Sequence, residues 1–152
     1  MKLFLFIFLA TITQYGFAQN EEAFVEKSFV IIQSTKNYNT AKQTAEKAAV
    51  QLNLKLDLRG LKPSKKTGLT FSKTICENED GYPCYIARGR YDDGAYVSIE
   101  WSDEFDKFAK GYYIVLIYSG NKQEAAKILQ KAKPVFKDAY YKQAKVYVGC
   151  MH

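Results

Sequence analysis

One pattern constrains this chain more than any other, and it occurs twice. Ser28-Phe29-Val30-Ile31-Ile32-Gln33-Ser34 is an apolar, β-branched run between polar residues, as a buried strand requires. Thr35 to Thr40 is a polar turn that supplies N-cap residue types. In the following Ala41 to Leu52, Ala41, Ala45, Ala48, Ala49 and Leu52 recur at helical spacing among Lys, Gln and Glu. Leu54 to Arg59 alternates apolar with polar residues, which predicts a strand with one wet face, closed by Gly60. Near the C-terminus Gly111 to Tyr118 predicts a strand, Ser119-Gly120-Asn121 a turn, and Gln123 to Lys133 a helix carrying Ala125, Ala126, Ile128, Leu129 and Ala132. Pro134 has no N–H and breaks or kinks that helix, and residues 135–141 are expected to add a turn or two. Ala144 to Gly149 predicts the last strand. Aligning Phe29 with Tyr113 brings Asn37 onto Asn121, Ala41 onto Ala125 and Ala48 onto Ala132, an overlap that leaves open whether the units arose by duplication.

The two β-α-β units, 28–60 and 111–149, imply a single α+β domain over 28–152, in which two helices back one face of an antiparallel or mixed sheet of five to seven strands. Between the units, Leu69 to Ile75 alternates and predicts an edge strand. Pro83 to Tyr91 and Ala95 to Trp101 flank Asp92-Asp93-Gly94, a hairpin signal, so an inserted β-hairpin is expected within 69–102. Lys62 to Gly68 and Glu77 to Gly81 read as solvated loops, one basic and one acidic.

The first residues carry a different message. Met1-Lys2 is a basic start, Leu3 to Ile12 an apolar run, and Gly16-Phe17-Ala18 a small-x-small site before polar residues, which together predict a secretory signal peptide over 1–18. Its apolar run is too short to span a bilayer. Residues 19–27 read as a polar leader. The expected product is exported, periplasmic or secreted, with no membrane insertion after cleavage and no lipid-anchor Cys at the start of the mature chain.

In an oxidising compartment Cys76 and Cys84 can close a small loop, which by chain entropy contributes about 2–3 kcal/mol. The third cysteine, Cys150, is free to exchange into that pair, bridge a second chain or stay reduced.

Strand, polar turn, Ala-rich helix and returning strand, used twice, resemble the SPOR (sporulation-related repeat) family. The residues that carry the resemblance are Phe29-Val30-Ile31-Ile32-Gln33-Ser34 followed by Thr40 to Glu46, and Tyr113 to Gly120 followed by Glu124-Ala125-Ala126. The resemblance implies a ferredoxin-like β-α-β-β-α-β layout and binding of cell-wall peptidoglycan glycan.

Composition narrows the chemistry. The only His is His152, which removes histidine triads and multi-His metal sites. Asp92-Asp93 and the group Asp103, Glu104 and Asp106 have ordinary roles in turns and caps, and phosphate-cradling glycine loops are absent, so no catalytic residue, metal ligand or cofactor is expected. The net charge of +6 is mild, and only three of the 22 basic residues are Arg, so nucleic acid is not an expected partner. The chain has 12 Tyr, and a flat ring with a hydroxyl suits both sugars and protein interfaces.

With helices on one sheet face, Gln33, Arg88, Arg90, Tyr96 and Tyr118 are the candidate ligand-binding residues of an open, Tyr-rich opposite face. The expected function is a non-catalytic exported binding module for peptidoglycan glycan. The alternative is a secreted inhibitor or immunity protein that binds a toxin or hydrolase. The sequence does not fix the oligomeric state.

Overall fold

The computed structural model describes residues 23–77 and 81–149. The expected signal peptide and Cys150 lie outside these residues. Four strands form one antiparallel sheet: β1 (Phe24–Thr35), β4 (Gly94–Trp101), β5 (Tyr113–Gly120) and β6 (Tyr140–Tyr147), in the order β4-β5-β1-β6. A two-stranded hairpin, β2 (Lys62–Ser64) and β3 (Gly68–Thr70), stands apart from it. The helices are α1 (Tyr38–Gln51), the short α2 (Lys73–Glu77) and α3 (Lys122–Ala132). Among the described residues no helix is long and apolar enough to cross a membrane.

The two long helices start alike. Asn37 and Asn121 are the N-caps, their side chains accepting from Thr40 N at 3.2 Å and Glu124 N at 2.9 Å. Each helix then turns alanines inward: Ala41, Ala45 and Ala48 on α1, Ala125 and Ala132 on α3. These small side chains pack on Val30, Ile32, Val97, Ile99, Val115 and Ile117 of the sheet. The fold class and the two long helices follow the sequence patterns, and α3 stops just before Pro134.

The middle of the chain departs from expectation. Residues 83–91 do not form a strand, because β4 has other neighbours. Its inner edge pairs with β5. At its outer edge Val97 donates to Lys55 O at 2.8 Å and accepts from Asp57 N at 2.9 Å. The Leu54 to Arg59 stretch contributes only this single parallel bridge at Leu56, since Arg59 and Gly60 adopt left-handed conformations (φ 57° and 69°) that turn the chain away. Asp92-Asp93-Gly94, a hairpin signal on paper, instead leads a non-strand segment into β4.

Leu69 to Ile75 divides in the same way. β3 ends at Thr70, and Ser72 O accepts from the amides of both Ile75 and Cys76 as α2 begins. At the chain ends the strands are longer or shifted. β1 starts at Phe24, within the expected polar leader, because Phe24–Lys27 pair with Tyr147–Ala144. The sheet therefore has four strands rather than five to seven.

The second face of the sheet is not open. Phe29, Ile31, Ile114, Leu116, Ala144 and Val146 form its floor, and Phe105 and Phe108 from the 102–111 loop close over it. Their rings meet Phe29 at centroid distances of 5.0 and 6.1 Å. Beside them Ala87, Arg88 and Gly89 lie against this face, in an irregular strap (residues 82–93) whose Tyr85 packs against the helix-side core.

Candidate functional site

The strap is tied at both ends. Cys84 is joined to Cys76 of α2 by a disulfide, with Cα atoms 5.4 Å apart. At the far end Asp93 pairs with Lys27 of β1, and Asp92 meets Arg59 Nε at 3.1 Å. Gly89, at φ 93°, lets the strap lie flat against Phe29 and Lys27, and its amide donates to Asp92 Oδ1 at 3.0 Å.

Arg88 points from the middle of the strap into the sheet and has no exposed surface. Its guanidinium is saturated by neutral acceptors. Nε donates to Ser119 Oγ (3.2 Å), Nη1 to Ser98 Oγ (2.9 Å) and to Leu116 O (3.3 Å), and Nη2 to Gly94 O (2.9 Å). The group lies 3.5 Å from the centroid of the Tyr96 ring. Ser119 passes the chain on, donating to Asp92 O at 3.2 Å. Burial pulls the Arg88 guanidinium below its ordinary value, against the fields of Tyr96, Glu100 and Asp92.

Beside it lies a buried carboxylate. Glu100 of β4 has no exposed surface; its Oε2 accepts from Arg59 Nη1 at 2.8 Å and from the Tyr85 hydroxyl. Its Oε1 is enclosed without a hydrogen-bond partner among the described residues. Burial lowers the Arg59 guanidinium, but the fields of Glu100, Tyr85 and Asp92 outweigh that and hold it above its ordinary value. Tyr85 is pushed well up, first by burial and then by the adjacent Glu100 charge. Tyr96, donating to Asp92 Oδ2 at 2.7 Å, is likewise raised, burial being the largest cause.

The five residues expected on an open face are dispersed by this arrangement. Arg88 and Tyr96 are in contact, but Arg88 is sealed beneath the strap. Tyr118 is on the other side: the β1–β5 pairing shifts register around Ile31, and Ile117 and Tyr118 both join the core beneath the helices. Gln33 is half-buried opposite Val115, its Oε1 enclosed without a hydrogen-bond partner among the described residues. Arg90 comes nearest to the expected role. Its guanidinium sits between the rings of Tyr91 and Tyr147, at 5.0 and 4.7 Å, and its Nη2 donates to Gly149 O at 2.8 Å. Phe24 packs on Tyr147 at 5.3 Å, and Tyr91 is 64% exposed, so this corner is an aromatic surface around an arginine.

Arg59, Tyr85, Asp92, Ser98, Glu100 and Ser119 were absent from the sequence-based site. Only Asp92 stood out in the sequence, as part of a turn signal. Among the described residues no group of three His, Cys, Asp or Glu side chains is placed to hold a metal ion. With both carboxylates engaged by Arg59, and Glu100 enclosed, the arrangement is suited to holding a guanidinium and joining strap to sheet. Comparison with known proteins gave no match: neither a family model, nor a curated protein, nor a solved structure is similar to this chain.

Proposed function

We propose that the chain is an exported, non-catalytic binding module whose partner is another protein, in the manner of an inhibitor or immunity protein. One observation carries this reading: the middle of the sheet is buried on both faces, so contact with a partner falls to the outer surface of the strap and to the exposed β1–β6 corner beside it. That surface offers Tyr82, Tyr91, Tyr147 and Phe24 with Arg90 between two of the rings. Tyr and Arg are the residue types that dominate the energetic centres of protein interfaces.

A second reading, binding of peptidoglycan glycan, draws support from the strand order. β4-β5-β1-β6, with α1 and α3 on one side, is the order a ferredoxin-like β-α-β-β-α-β layout would take, β2, β3 and α2 being insertions. The resemblance to SPOR domains implies that layout. On this reading the exposed tyrosines stack on sugar rings.

A photo-reactive phenylalanine placed at position 91, with position 50 as an exposed control, separates the readings. Illumination of the exported protein in its native cells is expected to give one discrete heavier species from position 91 and none from position 50, with no retention of the purified protein on peptidoglycan sacculi. Retention on sacculi that is lost in Tyr91→Ala establishes the glycan reading instead. Neither cross-linking nor retention contradicts both. Export has its own check: protein recovered from outside the cytoplasm is expected to begin at Gln19, and an intact Met1 on that material contradicts cleavage.

A further inference from the structure

We propose that the polar floor beneath the strap is a guanidinium-binding site, that Arg88 is its resident occupant, and that an arginine of a partner can take the site when the strap lifts. The partner arginine rests on the reading that the partner is a protein, whereas the guanidinium site itself is tested with a small probe and stands or falls without that reading.

The two halves of the second sheet face are built differently. Where the 102–111 loop covers it, both floor and cover are apolar, with Phe105 and Phe108 over Phe29, Ile31 and Leu116. Where the strap covers it, the floor is Tyr96, Ser98, Glu100 and Ser119. A cover meant only for stability is better served by hydrocarbon, because a buried charge must recover the loss of its hydration. Arg88 recovers little of it through charge. It forms no ion pair among the described residues, and all four of its hydrogen-bond acceptors are neutral. A floor of hydroxyls, a phenol and a carboxylate is also one that tolerates water when uncovered.

The geometry of that floor matches a guanidinium in particular. Two hydroxyls and two carbonyls meet Nε, Nη1 and Nη2, and the Tyr96 ring lies against the central carbon, its centroid 3.5 Å away. An ammonium could satisfy at most part of this set, since it has three donors and no planar face. The acceptors belong to β4 and β5, strands of the main sheet, whereas Arg88 hangs on an irregular segment. The enclosed Glu100 Oε1 adds one unused acceptor on the same strand. Besides the Cys76–Cys84 disulfide and the Asp92–Arg59 and Asp93–Lys27 pairs, the strap is held by Tyr85 on Glu100 and by Arg90 on Gly149 O, so the part that lifts with Arg88 is the short stretch between Tyr85 and Arg90.

The test uses ethylguanidinium as probe and ethylammonium as the equally charged control. In Arg88→Ala, amide resonances of Ser98 and Ser119 are expected to shift saturably with ethylguanidinium and not with ethylammonium, yielding a Kd for the vacated site. In the wild-type protein, hydrogen exchange of the 85–91 amides is expected to accelerate with ethylguanidinium by the factor 1 + [L]/Kd, twofold when the probe equals that Kd, while β1 and β5 amides are unchanged. The wild-type measurement stands alone if Arg88→Ala does not fold: acceleration specific to ethylguanidinium and confined to the strap is the expected result. Equal responses to the two cations, no response, or exchange of the strap only together with β1 and β5 overturns the proposal.

Discussion

Glu100 shows how much a single side chain can carry in this fold. Its carboxylate is fully buried, yet it binds Arg59 from the β2-side turn and Tyr85 from the strap, joining β4 to two segments far away in sequence. Removing Glu100 leaves Arg59 with Asp92 as its one remaining carboxylate among the described residues and takes the acceptor from the Tyr85 hydroxyl in the interior. Glu100→Ala is expected to cost about 3–5 kcal/mol, read as a lower midpoint in urea unfolding. Tyr85→Phe keeps the ring and removes only the hydroxyl, which also accepts from Trp101 N at 3.3 Å. Its expected cost is about 1–3 kcal/mol. Equal costs for the two variants would contradict the assignment of the charge to Glu100 and Arg59. None of this was legible in the sequence. Glu100 alternates with Val97, Ile99 and Trp101 as a wet-face residue would, and Arg59 ends an alternating run. Their pairing spans 41 residues and depends on a left-handed turn at Arg59 that no local pattern announces.

At the scale of elements, the legible parts were those with a period of their own. β1, α1, β5 and α3 follow from apolar and alanine spacing, and the Cys76–Cys84 bridge agrees with the short spacing of the two cysteines. The strap and the 102–111 loop have no period, because each covers the sheet with single residues, Arg88 in one and Phe105 and Phe108 in the other. The turn signal at Asp92-Asp93-Gly94 favours pairing of Pro83 to Tyr91 with β4, but Lys55 and Asp57 occupy the outer edge of β4 at Val97. The hairpin of β2 and β3 depends on Gly68, whose φ is 71° and whose missing Cβ would lie 2.0 Å from the Trp101 ring. Gly68→Ala is expected to lose about 1–3 kcal/mol from crowding alone, by the same urea measurement. β6 is the last strand of the sheet, and Asp106 accepts from the Lys145 amide at 3.0 Å on it. That contact occupies a backbone donor which another strand could otherwise pair with. Asp106→Ala is expected to increase self-association in sedimentation as concentration rises, and an unchanged monomer fraction would contradict this role for Asp106.

For the whole molecule, tyrosine is where structure and pH meet. Tyr38, Tyr85, Tyr96, Tyr113 and Tyr118 are all held above their ordinary value, with burial the first cause in each. In the unfolded chain they ionise near about pH 10, so above that pH the unfolded state has given up protons that the folded state keeps. Stability from this source is thus complete below about pH 10 and falls as pH rises past it. Tyrosinate absorbance is expected to appear in two stages, the later one coinciding with loss of the folded circular dichroism signal. A single smooth stage without unfolding would contradict burial of these phenols.

The closure of the second sheet face underlies the proposed function and the proposed guanidinium site alike, and it rests on the placement of Arg88. Nuclear magnetic resonance of the oxidised protein tests that placement most directly. A distinct, slowly exchanging Arg88 Nε–H signal is expected, with Arg88 side-chain protons shifted by the Tyr96 ring and showing cross-relaxation to it. An Arg88 signal that exchanges with water as fast as an exposed arginine, without contact to Tyr96, would contradict it.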